Sequence, residues 1–453
     1  MMFLILIAFG GIISYFSIFN YGFSQDDFIH LSAVSINNFS QFLNFFNPWA
    51  THPDIFHFRP LTTFLYFFVN NQLFGLNALP FRIEALALHL VNGFLFYLII
   101  KEIWRDRKIA IISGLFYTVS AIHFLSLFYI SAFQQIGAAF FIFLSIYLFF
   151  KNRYLLSHIA FIAALLSKET SIILPVLIFL LEFLKQRERP KIKIFIPYFV
   201  IAAIYLTIRL VGIQTTLSQG EYSLSLTPAQ ALENLKWYFL WSFGLPEIIS
   251  TYPSLKSFIP QFIKDFNLGV WIALSWIVFL ISTLLLFKRS YLDLKNITVS
   301  GAVFILTLLP VLFLKDHKYP QYLDLAYLVF IPFFVRLYNG KGFRQILTIV
   351  AIISYMSLQI LSIRLSESTH WTTHRSLVAQ FYHQELEKKD LPAGATVVFT
   401  GTYDQIRELS NALAGKYAPK VWFPGKINEV KYLPTEGLTR FDERTIVQDI
   451  TVF

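Results

Sequence analysis

The sequence predicts a polytopic α-helical membrane protein: about eleven transmembrane helices with surface helices in the first outer loop, plus a small C-terminal α/β domain. Three observations carry this prediction. Of 453 residues, 56% are apolar and only 14% charged, against about 25% charged in soluble chains. Apolar runs long enough to cross a ~30 Å hydrocarbon core recur along residues 1–363. The segments that join them alternate in charge. The composition excludes an ordinary soluble enzyme. Cysteine is absent, which excludes disulfides, thiolate metal sites and thiol catalysis.

The runs lie near residues 2–19, 80–100, 109–128, 132–150, 154–167, 171–184, 194–212, 267–287, 297–314, 322–338 and 345–363. Two of them, 154–167 and 171–184, are short and are joined by Ser167-Lys168-Glu169-Thr170. A further stretch, 235–250, is broken by Gly244 and Pro246 and reads as a re-entrant or surface helix. The first run lacks a basic flank and a small-x-small cleavage site, so it reads as a retained anchor.

Charge sets the expected orientation. Lys101, Arg105, Arg107, Lys108, Lys151, Arg153, the 185–193 cluster, Lys288, Arg289, Lys295, Lys341 and Arg344 give one set of connections sixteen basic residues against four acidic ones. The other set, at 20–59, 167–170, 213–266 and 315–324, has seven basic and ten acidic residues. The positive-inside rule places the first set in the cytoplasm. The N-terminus is then cytoplasmic, and the long loops and the tail face outward. The net charge of +10 is thereby a topology signal and gives no reason to invoke nucleic acid.

Residues 364–453 change character, with eleven basic and eleven acidic residues and no spanning run. Trp371–Lys388 reads as helix, Thr396–Thr400 as strand, Tyr403–Lys416 as helix, and Lys420–Phe423 and Thr445–Phe453 as strands. This gives two domains, 1–363 in the membrane and 364–453 outside it. No tandem repeat or low-complexity linker separates them.

The first outer loop concentrates the chemistry. Phe28, Leu31, Phe39 and Phe42 fall near one helical face, and Leu61, Phe64, Leu65 and Phe68 follow i, i+3, i+4, i+7 spacing, as in helices lying at a membrane surface. Asp26 and Asp27 follow the first membrane helix. Adjacent carboxylates repel, so one holds its proton more tightly. The pair serves either as general base and orienting group or as an acidic helix N-terminus. Arg59, fixed before Pro60 at a helix start, suits a phosphate, as do the free N–H groups of such a start. His52, Asp54 and His57 match no metal-ligand spacing and read as interfacial hydrogen-bonding groups.

Taken in order, these residues resemble a known family. The Asp26-Asp27 pair, Phe58-Arg59-Pro60-Leu61-Thr62-Thr63 and Leu73-Phe74-Gly75-Leu76-Asn77 resemble the GT-C membrane glycosyltransferases, nearest their protein O-mannosyltransferase-like branch. His89-Leu90-Val91-Asn92, then Leu165-Leu166-Ser167-Lys168-Glu169-Thr170 with Leu174-Pro175, then Lys318-Tyr319 and Gln321-Tyr322-Leu323 continue the likeness over roughly 1–340. Of the branch's His-Pro-x-His-x-Glu stretch only His123 is present, with Leu125 at the Glu position; the late Arg is Lys318 or Gln321, and the tail has no tetratricopeptide pattern.

The resemblance implies transfer of a sugar from a polyprenyl-phosphate donor to an acceptor outside the membrane, with inversion. Asp26 or Asp27 is the implied base. Arg59, Lys168, Arg209 and Lys318 are the implied phosphate-binding residues, and His57, Glu169, Tyr319 and Tyr322 position substrate. Snorkelling is the competing reading of Arg209, a local ion pair that of Lys168 and Glu169, and interhelical hydrogen bonding that of His89 and Asn92. No cofactor follows from the residues, and a divalent cation is left open. The expected partners are a membrane lipid carrier and an acceptor protein or glycan. The expected location is a bacterial plasma membrane. The rivals are a lipid-linked glycan ligase or polymerase, and a multi-pass transporter or flippase. A transporter should carry polar groups at mid-membrane and broken helices in related halves; here the ionisable residues gather at the outer edge.

Overall fold

The computed structural model describes residues 2–50, 54–55, 57–185, 192–212, 223–251, 262–264, 267–287, 293–338, 341–435 and 444–451. His52, most of the basic 185–193 cluster, Lys288, Arg289 and the last two residues of the expected final strand lie outside the described residues.

From the N-terminus run α1 (Met2–Tyr15), a 3₁₀ turn to Asn20, α2 (Asp26–Ala33), α3 (Phe39–Asn44), a π-helical turn (Pro60–Leu65), α4 (Tyr66–Phe74), α5 (Ala78–Trp104), α6 (Arg107–Val119), α7 (Phe124–Phe128), α8 (Phe133–Phe150), α9 (Tyr154–Leu165), α10 (Leu174–Lys185) and α11 (Ile196–Gly212). Then come α12 (Pro228–Ser242), α13 (Gly269–Leu286), α14 (Leu294–Leu312), α15 (Tyr327–Val335), α16 (Phe343–Thr369), α17 (Trp371–Glu387), β1 (Ala395–Gly401), α18 (Tyr403–Ala412), α19 (Tyr417–Trp422), β2 (Ile427–Pro434) and β3 (Thr445–Asp449).

Helices occupy all eleven expected spans, but among the described residues seven are both long and apolar enough to cross a membrane: Ala78–Trp104, Arg107–Phe128, Ile130–Phe150, Ile192–Val211, Gly269–Leu286, Leu294–Leu312 and Phe343–Thr369. These mark an integral membrane protein. The 12-residue α9 and α10 rise only roughly 18 Å each at 1.5 Å per residue. α9 stops before the Lys168 turn and α10 starts after it. α12 ends at Ser242, and Gly244 adopts a positive φ of 84° that turns the chain.

Small residues let three helices meet closely. A Cβ on Gly93 of α5 would lie 2.0 Å from Thr118 Oγ1 of α6, and one on Gly11 of α1 would lie 2.5 Å from Leu90. His89 Nε2 lies 2.9 Å from the Thr118 carbonyl oxygen, and Asn92 Nδ2 donates to the Ile136 carbonyl at 2.9 Å. Both side chains therefore bind α5 to its neighbours.

Two expectations change. Phe28 and Leu31 do not share a helix with Phe39 and Phe42: α2 closes at Val34, and Asn38 caps a new helix by accepting from Gln41 N–H. Lys420–Phe423 is not a strand. The segment belongs to α19, because one face of a short helix sets Trp422 against Phe28 (ring centroids 5.4 Å apart) with Ala418 buried four residues before it. The second strand is β2, whose polar Asn-Glu-Val-Lys run conceals its pairing in the sequence.

The tail forms a parallel sheet of order β2-β1-β3, with Ala395 opposite Ile427 and Thr396 opposite Thr445. Central β1 buries Val397, Val398 and Phe399 completely, as a parallel strand covered on both faces does. Its core is continuous with the first outer loop: Phe28, Leu31, Phe45 and Phe64 share one apolar cluster with Val378, Tyr382, Phe399 and Leu409. α16 runs past residue 363 to Thr369, and Arg364 donates to Ser17 Oγ at 2.6 Å.

Candidate active site

The outer loop is pinned before any site residue is placed. Arg82, 1% exposed at the start of α5, donates to the carbonyls of Tyr21, Gly22 and Leu127 at 3.3, 2.9 and 2.8 Å. This fixes the chain entering α2. Gln25 then takes φ 49°, a left-handed value costly for a side chain. Two contacts from the tail hold it there: its N–H donates to the Ala412 carbonyl at 2.8 Å, and its Oε1 accepts from Arg375 Nη1 at 2.7 Å.

The next residue is Asp26. It lines a polar cavity of about 480 Å³ with Gln25, Arg59, Tyr129, Ser131, Gln134, Gln135, Lys168, His317, Tyr319, Gln321, Tyr322, Trp371 and Arg375 among its walls. The Asp26 N–H donates to Tyr129 Oη at 3.0 Å. Asp27 points the other way and is fully buried. Its carboxylate accepts from Ser24 N–H at 2.9 Å, Ser131 N–H at 2.7 Å and Ser131 Oγ–H at 2.5 Å. Burial pushes Asp27 up to about 7, against these hydrogen bonds and the charge of Arg82. His30 Nδ1 lies 3.0 Å from Ser131 Oγ, and burial followed by the Arg59 charge pushes His30 down to about 3.

Arg59 is 5% exposed. Its Nε donates to Glu169 Oε2 at 2.8 Å and its Nη2 to Oε1 at 2.5 Å, while Nη1 donates to Gln134. The bidentate pair joins the first outer loop to the turn between α9 and α10. The join is reinforced by Leu61 N–H to the Leu166 carbonyl (3.2 Å) and Thr62 Oγ1 to the Ser167 carbonyl (2.7 Å). The N–H group that the sequence offered to an anion at this helix start is therefore spent on Leu166. Burial alone would raise Glu169, but Arg59, then Arg209 and Lys168, hold it well below the usual carboxylate range.

Lys168 is 5% exposed and lies over the Tyr322 ring, 4.9 Å from its centroid. Burial, then the Arg59 charge, pushes it down to about 7, against Glu169 and Asp324. His57 stands 3.4 Å from Thr63 Oγ1, and burial and Arg59 push it well below the ordinary histidine value. It does not line the cavity. Asp54 accepts from the Tyr417 hydroxyl, away from His57. Arg209 acts on Glu169 through its charge and does not line the cavity. Lys318 lies outside the cavity, on the side of Glu233, while its neighbours His317 and Tyr319 line it.

Of the residues singled out in the sequence, Asp26, Arg59, Lys168, Tyr319 and Tyr322 meet in one cavity, with Glu169 bound to Arg59. Gln25, Tyr129, Gln134, Gln135, Trp371 and Arg375 join them, though no sequence motif points to these six. Arg375 also donates to Glu408 Oε2 at 2.9 Å and stands over the Trp371 ring at 5.0 Å. Its Nε is buried with no hydrogen-bond partner among the described residues. Among the described residues no group of three or more His, Asp or Glu gathers to hold a metal ion. Asp26 shares its cavity mainly with cations and neutral groups, a donor set that does not fit a divalent ion.

No protein-family model matches the chain, and no curated protein does. In shape it is similar to the crystal structure of the Archaeoglobus fulgidus oligosaccharyltransferase in complex with Zn and sulfate, with TM-score 0.47, 11% identity, and coverage of 95% of this chain and 62% of that one. A second structure of that oligosaccharyltransferase, tethered to an acceptor peptide containing the NVT sequon, gives TM-score 0.46 and 11% identity over 95% of this chain and 63% of the other. The chain thus spans less than two thirds of that protein's length.

Proposed function

We propose that this protein transfers a sugar from a polyprenyl-phosphate-linked donor to an acceptor hydroxyl at the outer membrane surface, with inversion at the anomeric carbon. One observation supports the reading: Asp26, Lys168, Arg59 and Arg375 line one polar cavity, beside the turn where α9 ends and before α10 begins. The order of sequence motifs, nearest the protein O-mannosyltransferase-like branch, supports it. The acceptor oxygen bonds to the anomeric carbon as the carbon–oxygen bond to phosphate breaks. The proton passes to Asp26, and the bonding electrons leave with the phosphate, whose charge Lys168 and Arg59 stabilise. Asp27 is the positioning residue, because Ser24 and Ser131 occupy its oxygens and none of its surface reaches the cavity.

In this reading the N-terminus is cytoplasmic and the tail lies outside, closing the cavity with Trp371 and Arg375. The acceptor is a protein or glycan, and the donor chain lies in the bilayer. A deletion strain should accumulate a polyprenyl-phosphate sugar, identified by mass spectrometry of its lipids. An unchanged lipid-linked sugar pool, with all envelope glycoconjugates intact, would overturn the reading.

A further inference from the structure

Lys168 does not stand alone at the cavity wall. Its Nζ donates to Gln135 Oε1 at 2.6 Å. Gln135 Nε2 in turn donates to Asp324 Oδ2 at 2.7 Å and to the Gln321 carbonyl at 3.2 Å. Two acceptors on one end of the amide fix its orientation, so its oxygen must face the amine. The other oxygen of Asp324 lies 3.0 Å from His123 Nδ1 and accepts from the Tyr117 hydroxyl at 3.3 Å. His123 Nε2 stands 2.9 Å from the Tyr117 carbonyl, to which it can only donate. Gln135 is 8% exposed, Lys168 5%, and Asp324 and His123 2% each. Such a buried chain is stable only when every member is satisfied.

We propose that Asp324 is a positioning residue for the anion side of the cavity: through Gln135 it aims the Lys168 amine at the cavity and sustains its positive charge for a phosphodiester. The proposal rests on the reading that this cavity receives a phosphate ester. The groups facing Lys168 are Arg59 and Glu169 beside it, the Tyr322 ring beneath it, Asp324 with His123 behind Gln135, and Asp26, His317 and Arg375 around the cavity, with Arg209 beyond Glu169. Burial and Arg59 oppose the ammonium; Glu169 and Asp324 favour it. Glu169 is engaged by Arg59 and Asp324 by His123; of the two carboxylates, Asp324 is the one joined to Lys168 by hydrogen bonds, through Gln135. An anion that binds the ammonium raises its proton affinity, so binding takes up a proton and weakens as pH rises.

The test uses the full-length protein in detergent and methyl farnesyl phosphodiester as probe, titrated between pH 6 and 9. A phosphodiester does not itself titrate in this range, so a pH dependence belongs to the protein. Wild-type affinity should fall with rising pH by up to tenfold per unit, the limit for one proton. Asp324→Asn should move the midpoint to lower pH by about one unit, so affinity at pH 7.5 falls up to about tenfold. Gln135→Met, which breaks the link and leaves Asp324 in place, should do the same; it stands in if Asp324→Asn fails to fold. Lys168→Arg should bind with a flat pH profile, because a guanidinium stays charged. A slope that persists in Lys168→Arg would place the titration on another group and overturn the proposal. Dimethyl phosphate, which carries no chain, serves as the second probe. The same midpoint shift with it supports the device and assigns it to phosphate rather than to the lipid. Wild-type curves in both Asp324→Asn and Gln135→Met would overturn the proposal and leave the cavity reading intact. No binding of either probe by the wild type would overturn both.

Discussion

The Arg59–Glu169 pair ties the first outer loop to the α9–α10 turn, and its strength follows from its geometry. Two unit charges about 4 Å apart interact by about 4 kcal/mol at an effective dielectric of 20. The Arg59 side chain is 6% exposed and that of Glu169 25%. Screening at the exposed carboxylate reduces the figure to about 2 kcal/mol. Glu169→Gln keeps the shape and an acceptor oxygen but removes the charge, leaving the guanidinium uncompensated. Arg59→Met removes the other partner. A double-mutant cycle, read as unfolding free energy of the detergent-solubilised protein, should give a coupling of about 2 kcal/mol. Because the guanidinium is buried, the coupling should change little between low and high salt. A coupling below about 0.5 kcal/mol would refute the reasoning and reduce the pair to a surface contact.

Three further outcomes follow from the same structure. Asp27 is raised to about 7 from an unfolded value near 4, so the stability it contributes is full below about pH 4 and is lost as pH rises through about 7; Asp27→Asn should flatten the melting temperature across that window, and an unchanged slope would refute this. Gly93→Ala should cost about 1–3 kcal/mol or more, because the new methyl meets Thr118 Oγ1, and an unshifted thermal melt would contradict the close packing of α5 on α6. A cysteine at position 37 should react with an impermeant maleimide in intact cells and one at position 108 should not; the opposite pattern would reverse the membrane orientation.

The helices of the membrane half are legible in the sequence, because a long apolar run is a property of a single segment. The short helices are less so: α9 and α10 are 12 residues each, and the turn between them carries Lys168 and Glu169. The site itself was half legible. Charged residues in an apolar chain stand out, and Asp26, Arg59 and Lys168 are among them. Which of the two aspartates faces the cavity depends on the strained turn at Gln25, and that turn is held by Arg375 and Ala412, both in the C-terminal tail. Neutral members such as Gln134, Gln135 and Tyr129 resemble helix filler until their partners are known. A signal did exist for some of them: the Gln134-Gln135 doublet interrupts an otherwise apolar run, and Trp371 and Arg375 lie four apart at the start of an amphipathic helix. In the tail, β2 was missed because its exposed face carries the charge that marks loops.

The central claim is that Asp26 takes the acceptor proton while Asp27 only holds the loop. The direct test is turnover per folded molecule on the lipid-linked sugar that accumulates in the deletion strain, measured for Asp26→Asn and Asp27→Asn beside wild type. A positioned general base contributes typically 10²–10⁴-fold in rate. Asp26→Asn should therefore lose turnover by about that factor while melting as wild type does, and Asp27→Asn should keep turnover per folded molecule. Near-normal turnover in Asp26→Asn would contradict the account.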